Sequence, residues 1–207
     1  MIASKLRLSR ADSKALKISD AYSLHRVVYE LFDDVRSDSE KAAGVSSGIL
    51  FVDKGGDFQA REILLLSDRA PNQPTHGELA SREIPSSFLE ADAYRFEIVM
   101  NPVKRENQSR KLVPIKGREA VHQWFVAKAP RWGFSVNPSS LKINQMSVQV
   151  FEKKGQTVTL GSVILQGELT VSDRTQFIKS FSQGIGRGHA FGFGLLQISP
   201  ISNPFSF

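Results

Sequence analysis

Cysteine is absent from the 207 residues, tryptophan occurs twice, methionine three times and histidine four times. Without cysteine there is no disulfide and no thiolate metal site, which fits a reducing compartment. The chain also lacks any run near the roughly 18 apolar residues of a membrane span. Its first ten residues, MIASKLRLSR, carry charge and hold no apolar core of signal-peptide length. A soluble cytoplasmic protein with no membrane partner is expected. Neither H-x-x-x-H nor H-E-x-x-H occurs, so no metal and no cofactor are expected. What is present is 41% hydrophobic residues, enough for a real core in one large domain or two small ones.

The formal charge of +6 is unevenly spread. Residues 1–92 carry a net −3 and residues 93–207 a net +9. A basic second half is the electrostatic footprint of a polyanion partner, nucleic acid above all.

Hydrophobic patterning divides the chain at the same place. IASKLRLS (2–9) alternates like a half-buried strand. Residues 19–35 read as a helix capped by Ser19 or Asp20, with Leu24, Val27, Val28, Leu31 and Val35 on one apolar stripe. Residues 48–67 read as two strands around a Gly-Gly turn, 68–77 as a Pro-rich loop, and 78–92 as a short strand and a turn. The order then begins again. There is an alternating strand at 93–102, a basic loop at 103–117 with a short strand near Leu112–Ile115, and a helix from 118 to Pro130. Two or three strands follow across 147–173 with a tip at Lys153-Lys154-Gly155, then a helix over 173–184 and a last strand over 191–200. Each half fits the split βαβ plan, so the expected fold is α+β, two tandem ferredoxin-like modules over 1–92 and 93–207.

The segment GIGRGHAFGFG (184–194) holds five of the fifteen glycines, with Arg187 and His189 among them. It does not match G-x-G-x-x-G, because His189 and Phe191 stand where the third glycine belongs, and no Gly-Lys-Ser/Thr occurs. A helix precedes it and a strand follows, the reverse of a dinucleotide-binding turn. Two readings remain. One is a helix cap, with Gly184 in the left-handed conformation, followed by a glycine-bent strand. The other is close backbone approach to a phosphate chain, with Gly184, Gly186 and Gly188 presenting N–H groups and Arg187 and His189 beside them.

GIGRGHAFGFGLLQISP resembles the C-terminal glycine-rich loop of the repeat-associated RNA-processing proteins of CRISPR systems, a superfamily built on ferredoxin-like domains. DAYSLHRVVYELF (20–32), YRFEIVMNPVKR (94–105), KLVPIKGREAVHQWFVAKAPRWGF (111–134) and LQGELTVSDRTQFIKSFSQGIG (165–186) make the chain similar, more narrowly, to the CasE endoribonucleases of E-subtype Cascade. The resemblance implies metal-independent cleavage of precursor RNA, in which a ribose 2′-hydroxyl attacks the adjacent phosphorus and leaves a cyclic phosphate and a 5′-hydroxyl. It implies that Tyr22-x-x-His25 is the catalytic pair, His25 transferring a proton and Tyr22 positioning or transferring one. It also implies a CRISPR repeat RNA hairpin and other Cascade subunits as partners.

The residues themselves allow this chemistry. Three-residue spacing puts Tyr22 and His25 on one helix flank, with Tyr29 beside them and the apolar stripe free to anchor the helix. Imidazole titrates near working pH. Of the other histidines, His76 reads as solvated, His122 as packed or surface, and His189 as the rival to His25. RNA contacts are expected from Lys104, Arg105, Arg110, Lys111, Lys116 and Arg118, and from Lys153 and Lys154 at the hairpin tip, because a duplex stem is read mainly through shape and phosphates. Trp124 and Trp132 read as core. A non-catalytic RNA-binding subunit and a nucleotide-binding regulatory module are the competing readings.

Overall fold

A computed structural model describes residues 1–57, 59–153 and 155–201. Lys154 therefore lies outside the described residues. The fold is mixed α+β with two main antiparallel sheets.

The first sheet has the order β2-β3-β1-β4, from β1 (Ile2–Ser9), β2 (Ile49–Gly56), β3 (Ala60–Ser67) and β4 (Glu78–Glu83). Between β1 and β2 run three helices: α1 (Arg10–Ala15), α2 (Ala21–Tyr29) and α3 (Asp38–Ala42). The sheet is covered on both sides. One face, including Leu6, Leu8, Phe51, Ile63 and Leu65, packs on Leu24, Val27 and Val28 of α2. The other, through Leu50, Val52 and Leu66, joins the large core of the second half. Burial on two faces is why β2 reads as the unbroken apolar run ILFV rather than alternating.

The second sheet has the order β11-β5-β10-β8, and β9 pairs with β10. Its strands are β5 (Ala93–Met100), β8 (Phe134–Val136), β9 (Lys142–Lys153), β10 (Gln156–Val171) and β11 (Gln197–Pro200). A separate hairpin, β6 (Val103–Arg105) with β7 (Leu112–Pro114), leaves the sheet after β5. Helices α4 (Arg118–Lys128) and α5 (Arg174–Gln183) bury Val121, Phe125, Phe177 and Phe181 in the core. Trp124 and Trp132 pack against it with ring centroids 6.2 Å apart, as the sequence suggested. Among the described residues no helix is long and apolar enough to cross a membrane.

Three local expectations fail. The first helix stops at Tyr29, six residues early, and Val35 is exposed rather than part of the stripe. Beyond it, Arg36 folds back on Asp34, accepting neither helical geometry nor the apolar face: its guanidinium and backbone N–H both donate to the Asp34 carboxylate. Arg69, from the far side of β3, donates to the Asp33 carbonyl and sits over the Phe32 ring. The last strand shrinks to β11, and residues 189–191 form a single 3-10 turn instead. Gly184 does end α5 at positive φ (+82°), but with ψ 162° it is extended, not left-handed helical.

Candidate active site and RNA interface

α2 is a short helix that is firmly anchored. Asp20 accepts the Ser23 backbone N–H at 2.7 Å, and Ser23 Oγ accepts the Asp20 N–H at 2.9 Å, closing a capping box at the helix start. A cap of this kind is worth about 1 kcal/mol. The Ser23 backbone hydrogen bond also holds the Asp20 carboxyl below its ordinary range. Leu24, Val27 and Val28 are buried, contributing about 1.5–3 kcal/mol each by burial. The opposite flank carries three aromatic rings. His25 stacks on Tyr22 with centroids 6.1 Å apart and planes within 16°, and meets Tyr29 at 4.1 Å. The Tyr29 hydroxyl is tied to Ser47 Oγ at 3.0 Å, and the Arg26 guanidinium lies over Tyr22 at 5.9 Å.

The glycine-rich segment closes over this flank. Phe191 stands 5.9 Å from His25 and 4.7 Å from Phe151 of β9. Lys153, the last residue of β9, has its Nζ 5.3 Å from the Phe191 ring. His25 is thus half-buried between a helix of the first sheet and a strap and hairpin of the second. Burial pushes its pKa below the ordinary value; the Ala190 backbone raises it, and the nearby Lys153 charge lowers it further. Its Nδ1 is buried with no hydrogen-bond partner. A neutral imidazole in this setting can accept a proton.

The other singled-out residues fall in distinct places. His189 is half-buried inside the strap, its Nε2 without a partner. Burial lowers its pKa, and the Ile185 backbone opposes that shift. Gly184 packs against its ring; Gly186 and Arg187 are exposed and Gly188 is half-buried. Lys104, Arg105, Arg110 and Lys111 are exposed on the β6–β7 hairpin, where Arg105 donates to the Arg110 carbonyl at 2.7 Å. Lys116 and Arg118 are exposed at the start of α4, and Arg118 donates to the Ile143 carbonyl of β9. His122 is half-buried and hydrogen-bonds the Pro138 carbonyl at 3.0 Å; His76 is exposed, 3.8 Å from Asp12. Phe191 and Ala190 were not foreseen beside His25. Tyr29 was legible from its four-residue spacing, and only the fold of the β9–β10 hairpin brings Lys153 there.

Two antiparallel sheets, a long hairpin and a glycine strap over a helix-borne imidazole define a CRISPR-associated protein: the family model of that description matches residues 1–200, and the chain belongs to that family. More particularly, the chain is similar to the CRISPR system Cascade subunit CasE of Escherichia coli (strain K12), 24% identical over 97% of this chain and all of the relative. Its fold is that of the CRISPR endoribonuclease Cse3 bound to a 19-nucleotide RNA, with TM-score 0.80 at 20% identity, covering 97% of this chain and all of the other. Thermus thermophilus Cse3 bound to an RNA representing a pre-cleavage complex gives TM-score 0.79 at 18% identity, over 96% of this chain and 98% of the other. The resemblance read in the sequence is the one these comparisons identify.

Proposed function

We propose that the chain is a metal-independent endoribonuclease that cuts CRISPR repeat RNA at a stem-loop, keeps the product as a guide RNA, and works beside other Cascade subunits. Its architecture is two ferredoxin-like modules, 1–92 and 93–207. The strand orders β2-β3-β1-β4 and β11-β5-β10-β8 support that division, because each is the 4-1-3-2 arrangement of a split βαβ unit. The first module departs from the plan in two respects: three helices rather than one join β1 to β2, and no helix occurs in 68–77, where the second helix of the plan would fall. The relatives' names, an endoribonuclease with RNA bound and a Cascade subunit, support the substrate and the assembly.

The observation that carries the reading is His25 held half-buried between α2 and the strap, with its pKa depressed. In the proposed step the ribose 2′-oxygen attacks the adjacent phosphorus as its proton passes to a base. The P–O5′ bond breaks, and O5′ takes a proton from an acid, leaving a 2′,3′-cyclic phosphate and a 5′-hydroxyl. A neutral His25 suits the base, and Tyr22, stacked beside it, suits positioning or the acid. Lys153 supplies positive charge where the phosphorane develops. Gly184, Gly186, Gly188 and Arg187 carry the RNA backbone along the strap, with His189 shaping it from within. Lys104, Arg105, Arg110, Lys111, Lys116 and Arg118 grip the stem, joined by Lys154.

The test is incubation with a repeat hairpin in excess chelator, wild type against His25→Ala. The wild type yields a cyclic-phosphate end, and a 2′-deoxy sugar at the cut site blocks it. His25→Ala loses about 10²–10⁴-fold in rate while still binding RNA. Unchanged cleavage by that variant would remove His25 from the reaction.

A further inference from the structure

A cavity of about 600 Å³ lies under the β6–β7 hairpin, between the end of β5 and the β9–β10 hairpin. Three features distinguish it from an ordinary surface dent. Its floor holds Asn101, only 8% exposed, whose Oδ1 has no hydrogen-bond partner. A buried amide oxygen left unpaired costs about 1–3 kcal/mol and calls for an explanation. Beside it stands Gly161 in the middle of β10. A β-carbon there would meet nothing within 4 Å but Asn101 Oδ1, at 3.8 Å. Its backbone is not in the left-handed region, so neither conformation nor packing demands glycine; the missing side chain leaves the floor open. With no bulge in the ladder at this position, such a strand glycine leaves room for close approach by a ligand. Finally, the walls are apolar and partly exposed, formed by Leu112, Met146 and Val148, while Lys116 and Arg187 stand exposed at the rim.

Apolar walls, an unsatisfied amide at the bottom and cations at the mouth match one ligand chemistry. We infer that this cavity holds a single unpaired base of the bound RNA, resting on the reading of the chain as an RNA endonuclease. The base edge donates to the unpaired Asn101 amide oxygen. The ring lies against Val148 and Met146, and Arg187 and Lys116 take the flanking phosphates. Unpaired bases are the part of an RNA that can be splayed out and hydrogen-bonded in this way. The base does not belong to the dinucleotide being cut. Side chains alternate along β9: Phe151 and Lys153 turn toward His25, and Met146 and Val148 have the opposite parity with no register shift between them. The cavity therefore opens on the other face of the hairpin.

The experiment is an abasic scan of the unpaired positions of a repeat hairpin, by equilibrium binding to the wild-type protein and to Gly161→Val. One abasic position is expected to weaken wild-type binding about tenfold, the order lost with one held base. Gly161→Val, which fills the floor, is expected to weaken binding of the intact RNA by the same factor and to be indifferent to that abasic position. Asn101→Ala, checked with Gly161→Val for an unchanged circular dichroism spectrum, is expected to follow it. A wild-type protein that binds and cuts the hairpin but tolerates every abasic position overturns the cavity assignment and leaves the nuclease standing. So does a folded Gly161→Val that binds like wild type, or whose loss adds to the abasic loss. A wild-type protein indifferent to the hairpin overturns both.

Discussion

A β-carbon on Gly194 would stand 2.6 Å from Cδ2 of the His189 ring, and one on Gly184 would stand 3.1 Å from its Cε1. The strap is a loop folded around its own imidazole, and two of its glycines, Gly184 and Gly194, leave room for that ring. Gly194 adds a backbone tie: its N–H donates to the Val99 carbonyl at 2.8 Å and its carbonyl accepts from Ile185 at 2.9 Å. At φ +83° an alanine is strained by about 1–3 kcal/mol before the clash is counted. Gly194→Ala is therefore expected to lower the melting temperature and to slow cleavage, because Phe191 and Ala190 no longer close over His25. Adding His189→Ala removes the clash with the ring but neither the one with the Ile185 carbonyl, 2.5 Å from the same β-carbon, nor the backbone strain, so His189→Ala is expected to cost less stability in the Gly194→Ala background than alone. An equal cost of His189→Ala in the two backgrounds would show that the ring is not what Gly194 accommodates.

The pH dependence follows from two lowered imidazoles. His25 in the folded chain takes its proton below the ordinary value of 6.5. If it is the base, the single-turnover rate is level at pH 7 and falls only as pH drops below 6.5 through the folded pKa. A rate that still climbs steeply above pH 7 contradicts a neutral base. Stability moves in the same direction. In the unfolded chain His25 and His189 protonate as pH falls through 6.5, while the folded chain resists, so acidification draws the equilibrium toward unfolding. Thermal melts at pH 7 and pH 5 are expected to differ, and His189→Phe to narrow the difference.

Much of this was legible in the chain, and the failures have local causes. Period-two alternation placed β1 at its true bounds, and Asp20 is the cap because a carboxylate followed three residues later by Ser23 can close a box. The end of α2 was not legible, since apolar Leu31 and Phe32 continue the stripe and remain buried; the bonds that take up the carbonyls beyond it come from far along the chain, the Asn72 N–H to Leu31 and Arg69 to Asp33. The sequence leaves the strap's glycines open between a helix cap with a bent strand and room for a phosphate chain, and it does not show that those at 184 and 194 also make room for a histidine of the same loop. The sequence could nominate His25 but not surround it, because Phe191 and Lys153 arrive from the other end of the chain.

Lys153 offers a readout that a structural role would not move. Its charge is one of the causes holding the His25 pKa down. Lys153→Ala is expected to raise that pKa toward 6.5, seen by NMR titration of the imidazole, and to shift the acid limb of the rate to higher pH. In the proposed step the variant also removes positive charge near the phosphorane, so cleavage is expected to slow by about 10²-fold. Lys153→Arg keeps the charge and is expected to keep the low pKa. An unchanged titration in Lys153→Ala would place the ammonium too far away to act.

The β6–β7 hairpin separates charge from shape. Arg110 adopts φ +57°, a conformation uncommon for a residue with a β-carbon, and its carbonyl receives the Arg105 guanidinium. Lys104→Ala and Lys111→Ala remove only an exposed cation each. Each is expected to weaken hairpin binding uniformly across stem sequences and to reduce the slope of log affinity against log salt by about 0.7–0.9. Arg110→Gly relieves the backbone while removing a charge, so it is expected to raise the stability of the turn yet lower the salt slope by the same amount. Arg105→Ala loses both the charge and the tie across the turn, and is expected to weaken binding more than either lysine. The measurement is fluorescence anisotropy with a labelled hairpin from about 50 to 200 mM salt. If all four variants keep the wild-type slope, the stem does not lie along this hairpin, and the basic second half of the chain meets its RNA through some other surface.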